Sequence, residues 1–163
     1  MGAHYFLIVV DDANRATWVY LMRGRRETST LLKSFVTMIK TQFGKTVKVV
    51  RSDNGSKFTF EPMLQYYAMN GMLHQTSCVG TPQQNGRVEC KDRNILNVAR
   101  ALRFQADLPI QFWGECVLTA SHLINRTSAK LLKGKHLTKC SINKDHPMTI
   151  YEFLGICVMC KTG

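Results

Sequence analysis

The sequence predicts a mixed α/β domain. Three observations carry this reading: two β-rich runs at the start, an alternation of helical and strand patterns in the middle, and two consecutive helical patterns after it. At 163 residues the chain suits one domain and can bury a core. Its composition, 45% hydrophobic and 20% charged, is that of a globular protein, without low-complexity tracts or internal repeats.

HYFLIVVDD reads as a buried strand, rich in β-branched and aromatic residues. After the polar ANR turn, ATWVYLM reads as its hairpin partner, followed by a basic RGRR corner. From Glu27 to Phe43, residues Leu32, Phe35, Val36, Ile39 and Phe43 fall on one helical stripe, and Gly44 supplies the stop. KTVKVVRSD is a short strand that closes on Asp53. A brief helix over 62–69 ends at Asn70–Gly71, and LHQTSC is a further strand.

The loop VGTPQQNG then opens a long helix over 87–105, whose stripe is Val88, Ile95, Val98, Ala99 and Leu102. Asp107 and Pro109 break it and start another helix, IQFWGECVLTASHLIN, with Phe112 and Trp113 expected in the core. Residues 1–128 form the predicted domain. Residues 129–163 read as a loosely attached basic tail whose last stretch, IYEFLGICVMC, is apolar but unplaced.

Lys and Arg number 22 against 11 Asp and Glu, a formal charge of +11. Such an excess suits a polyanionic partner, nucleic acid above all; the alternative is a merely soluble basic protein. No signal peptide is visible, and YFLIVV is too short to span a bilayer, so the expectation is an intracellular protein. Six scattered cysteines fit reduced thiols rather than a disulfide framework. Cys157 and Cys160 form a CxxC, but a lone pair of this kind is weak grounds for zinc.

Two acids stand out. Asp53 closes a strand, so it projects from the carboxyl end of a sheet, where ligand sites collect. The blander reading is that DNG is simply a good turn. Glu89 opens a helix, where the macrodipole favours an acid, and it precedes Arg93 by four residues in ion-pairing order. Together the two acids suit hard divalent cations, which take carboxylate oxygens and substrate phosphates in phosphoryl transfer. Arg93, Arg100 and Arg103 lie on the same helix and suit phosphate contacts, or else a solvated face.

RSDNGSKF, the spacing of 36 residues from Asp53 to Glu89, and TPQQNGRVEC resemble the catalytic core of retroviral-type integrases. NILNVARAL, LPIQFWGECVLTASHLINRT and YFLIVVDDANRATWVYL narrow the likeness to copia-type retrotransposon integrases of plants, over residues 4–128. The resemblance implies a ribonuclease H-like mixed sheet flanked by helices. It implies an Asp–Asp–Glu triad holding two Mg²⁺ or Mn²⁺ ions, which cleaves the ends of element DNA and joins them to target DNA. Asp53 matches the second acid and Glu89 the last. Gln84 and Asn85 match the loop beside the site, and Arg93, with Arg100 after it, matches a basic DNA contact. Multimeric assembly and action in the nucleus are implied likewise.

Chemistry alone would choose Asp11 or Asp12 as the third ligand, since both follow an apolar strand. The resemblance implies instead that the first acid lies on an earlier strand, before the match to YFLIVVDD. On that reading the chain is truncated before its first catalytic Asp, and it also lacks the HHCC zinc module and the DNA-binding extension. The missing strand is central in the family, between the strands matched by HYFLIVV and KTVKVV. Its loss leaves a gap, forces those two strands to pair, or invites a substitute strand.

Cys90 and Asp92 replace basic or imidazole side chains, Lys57 replaces an acid, and Asp92 falls on the apolar stripe of its helix. The expectation is an integrase core fragment that is inactive as it stands. The alternatives are a non-catalytic nucleic-acid-binding module and a chain that does not fold.

Overall fold

The structure is a computed structural model that describes residues 2–12, 15–76, 86–127 and 154–160. Its centre is a mixed five-stranded sheet in the order β2-β1-β5-β3-β4. Strands β1 (Tyr5–Asp11) and β2 (Thr17–Met22) form the predicted antiparallel hairpin, from Tyr5 opposite Met22 to Val10 opposite Thr17. Residues Phe6 to Val10 are all buried because both faces of β1 are covered, which explains an unbroken apolar run instead of alternation.

On one face Leu7 and Val9 meet α1 (Thr28–Phe43) and α3 (Glu61–Met69) in a cluster with Leu32, Phe35, Ile39 and Tyr67. Gly44, at φ 62°, ends α1 in the left-handed conformation, its N–H bonded to the Lys40 carbonyl. On the other face Phe6, Ile8 and Val10 meet α4 (Gly86–Gln105) and α5 (Trp113–Arg126) in a cluster with Val88, Ile95, Val117 and Ala120. Asn125 ties α5 to the sheet, donating to the Thr17 carbonyl (2.6 Å) and accepting from the Thr17 N–H (3.1 Å).

Strand β3 (Val49–Ser52) runs parallel to the edge strand β4 (Leu73–Thr76), and the short helix α2 (Ser56–Thr59) buries Phe58 between β3 and α3. Phe112, expected in the core, is 44% exposed: it sits in a 3₁₀ turn ahead of the α5 stripe. Trp113 is half-buried, its indole N–H donating to the Ala3 carbonyl.

The closing apolar stretch, which its sequence alone does not place, forms β5 (Leu154–Cys160). It lies between β1 and β3, antiparallel to the first and parallel to the second. The expected loss of a central strand therefore leaves neither a gap nor direct β1–β3 pairing. A substitute strand fills the place, and that part of 129–163 joins the sheet instead of trailing from it. Residues three apart in a strand fall on opposite faces, so the Cys157–Cys160 spacing does not form a one-sided ligand pair.

Candidate active site

Asp53 stands one residue past β3, at the carboxyl end of the sheet. Its Oδ1 accepts the Gly55 N–H at 3.2 Å, and its side chain is 40% exposed. A Cβ on residue 55 would lie 2.9 Å from that Oδ1 and 3.0 Å from the Lys57 Nζ, so glycine is needed for room rather than for φ. The Lys57 ammonium stands 3.4 Å from the other oxygen, Oδ2. A lysine at this position thus sets a positive charge against the candidate ligand.

Beside it lies a cavity of about 540 Å³, lined by Arg25, Arg26 and Ser29 as well as Gly55, Ser56 and Lys57. In the sequence RGRR reads only as a basic corner. Nothing local signals that the corner folds back beside DNGS.

Glu89 is exposed on the first turn of α4. At about 100° per residue, Glu89, Arg93, Arg100 and Arg103 fall within roughly 40° of one line along the helix. Arg93 and Arg100 are exposed, as phosphate contacts require. A second cavity, about 550 Å³, is lined by Arg15, Lys91, Arg93, Asn94 and Asn97 among others. Burial, with Arg15 adding to it, pushes the Lys91 ammonium below its usual range. Gln84 and Asn85 lie outside the described residues.

Asp92 is the anomaly of this helix. It is 6% exposed, and its Oδ1 has no hydrogen-bond partner. Burial raises its carboxyl to about 6; the charge of Glu89 adds to the shift and that of Arg93 opposes it.

The residues described do not make a complete divalent-cation site. No group of three His, Cys, Asp or Glu among them could hold a metal, and no hydrogen bond or ion pair among them joins Asp53 to Glu89. Asp12 is paired with Arg15 at 2.7 Å. Asp11 is buried at the far end of β1, in register with Leu154, which pairs in turn with Val50. Two strand spacings across and three residues along put it roughly 14 Å from the level of Asp53. Strand β5, which runs past Asp53, has no carboxylate in LGICVMC.

Residues 1–82 match the family model described as the integrase core domain. Over 126 residues, 77% of the chain, the sequence is 36% identical to the retrovirus-related Pol polyprotein from transposon TNT 1-94 of Nicotiana tabacum. Over 129 residues, 79% of the chain, it is 30% identical to the corresponding polyprotein from transposon RE1 of Arabidopsis thaliana. The chain spans 10% and 9% of the length of these relatives. Among solved structures it resembles the HTLV-2 integrase catalytic core domain, described as a trimeric form in complex with magnesium. The TM-score is 0.60, with 21% identity and 83% of each chain covered, a likeness of fold.

Proposed function

The chain belongs to the integrase core domain family, and from that premise we propose that it is a fragment of a copia-type retrotransposon integrase, inactive as it stands. Its ancestral role is DNA integration by metal-dependent phosphoryl transfer, with cleavage at the 3′ ends of element DNA followed by strand transfer. Asp53 and Glu89 are the surviving Mg²⁺ or Mn²⁺ ligands of the ancestral triad. Arg93 and Arg100, with Gln84 and Asn85, are its DNA contacts.

One observation carries this reading. Asp53 sits on a glycine turn at a strand end, while the strand beside it presents no acid and Lys57 faces its carboxylate. Purified chain given element-end DNA and Mg²⁺ or Mn²⁺ is expected to yield no strand-transfer product. Robust joining that Asp53→Asn abolishes would show the chain to be an active enzyme and overturn the proposal.

The second reading, a non-catalytic nucleic-acid-binding module, draws support from the two arginine- and lysine-lined cavities and the exposed Arg93 and Arg100. DNA binding is expected to weaken steeply with salt, and Arg100→Ala to reduce the log–log salt slope by about 1. Binding that ignores salt would exclude it. Self-association and a nuclear site of action belong to the same proposal. Among the described residues no helix is long and apolar enough to cross a membrane.

A further inference from the structure

We propose that residues 154–160 are a replacement central strand, which holds the slot between β1 and β3 and thereby keeps any acid-bearing strand out of it. The inference rests on the integrase reading above, in which the strand carrying the first acid belongs in that slot.

The pairing is extensive on both sides. All seven residues of β5 are in register with β1, from Asp11 opposite Leu154 to Tyr5 opposite Cys160. Three of them are also in register with β3: Leu154 with Val50, Gly155 with Arg51, and Ile156 with Ser52. The direction is the one a hairpin predecessor of β1 would take, since such a strand runs antiparallel to its successor.

The physical need for an occupant is plain. Residues 6–10 of β1 are buried on both faces, and Val50 and Ser52 of β3 are buried as well. Water cannot satisfy the edges of these strands, so an empty slot would leave two rows of orphaned backbone donors and acceptors. The separation of β1 from β3 is two strand spacings, about 9.6 Å, room for one strand only. Occupancy is therefore exclusive, and any other segment must displace 154–160 to enter.

The register also says what the exclusion removes. One step beyond the Ser52–Ile156 pair, residue 157 falls at the level of Asp53. The same residue pairs with Ile8, which belongs to the cluster beneath α4, the helix of Glu89. Position 157 therefore stands between the two candidate acids in the topology, and it is a cysteine.

Hydrogen exchange on the full chain tests the strand. Amides of 155–160 are expected to exchange only with global unfolding, at the same slow rates as those of β1. Exchange at unstructured-chain rates while β1 stays protected would overturn the proposal. Ile156→Pro, which removes a ladder donor from a strand paired on both sides, is expected to abolish the cooperative melt; an unchanged melt overturns it too.

Cys157→Asp tests the level. With Mn²⁺ its melting temperature is expected to rise, with at least tenfold tighter binding than the wild type, and Asp53→Asn in the same chain is expected to cancel the gain. If the variant does not fold, the exchange pattern of the wild type decides. The two failures are distinct. Fast exchange at 155–160 removes the replacement strand and leaves the family reading standing. A protected strand with a folded, Mn²⁺-indifferent Cys157→Asp chain removes the acid site from that place and the exclusion with it.

Discussion

The two faces of the sheet are built from the same β1 strand and packed to different standards. Under α1 and α3 the buried cluster is apolar throughout, from Leu7 and Val9 to Phe35, Ile39 and Tyr67. Under α4 and α5 the cluster is also well filled, yet Asp92 is inserted among its buried positions with one carboxyl oxygen unpartnered. The first face keeps the fold. The second face also carries the helix of Glu89, and there the departures from the family pattern gather, Cys90 and Asp92 on α4 and the acid-free β5 in the sheet below. The contrast suggests a scaffold retained after the constraint on its site was relaxed.

The contrast breaks most easily on the apolar face. Phe35 is 1% exposed and meets Trp18 and Tyr20 edge-on at 5.2 and 6.4 Å between ring centroids. Phe35→Ala removes that ring from a site flanked by the sheet and two aromatics, and is expected to cost about 3–5 kcal/mol. Urea unfolding measures it. A loss below about 1 kcal/mol would mean that this face is not packed as described.

Asp92 offers the next largest effect, in the opposite direction. Its folded value of about 6 lies above the unfolded value near 3.8, so the folded state binds the proton more tightly. Stability from this group is fully present below about pH 4, falls as pH rises toward 6, and stays lost above that. A shift of about two units corresponds to roughly 3 kcal/mol. Asp92→Asn removes the charge at nearly constant shape and is expected to stabilise the chain at pH 7 by up to that amount, with little gain at pH 4. The difference between the two chains' unfolding free energies, followed from pH 4 to 7 in metal-free buffer, checks it. A difference that stays flat across that range would mean that Asp92 is not held in a charge-hostile place.

Much of the fold is legible in the sequence because its elements are periodic. The stripe from Leu32 to Ile39, the Gly44 stop and the continuous β1 run each state their structure locally. Asp92 on an apolar stripe is legible for the same reason. Strand β5 is not, since LGICVMC has no period, and its partners Tyr5–Asp11 and Val50–Ser52 lie a hundred residues or more away. A missing central strand names the slot but not its occupant. Phe112 misleads because an aromatic near a helix start reads as core, whereas the 3₁₀ turn that holds it carries it outward. At the site, Asp53 and Glu89 stand out by their turns. The approach of Arg25 and Arg26 to Gly55 depends on how α1 packs, which no local pattern states.

The smallest expected effect sharpens the comparison of the acids themselves. Asp53 is 40% exposed with Lys57 at 3.4 Å, whereas Asp92 is buried with no partner for its Oδ1. An exposed pair gains little, because water screens it and two side chains must be held in place. Lys57 also lays its ammonium 5.1 Å from the Phe58 ring centroid, so a fair substitution must keep the apolar stem. Lys57→Met is therefore expected to change stability by less than about 1 kcal/mol, with almost no dependence on salt. A loss above about 2 kcal/mol would make the ion pair a structural element and the lysine the reason Asp53 points where it does. If the loss is small, the carboxylate is oriented by the Gly55 N–H and the turn that holds it, which is the part of the ancestral site the sequence has kept unchanged.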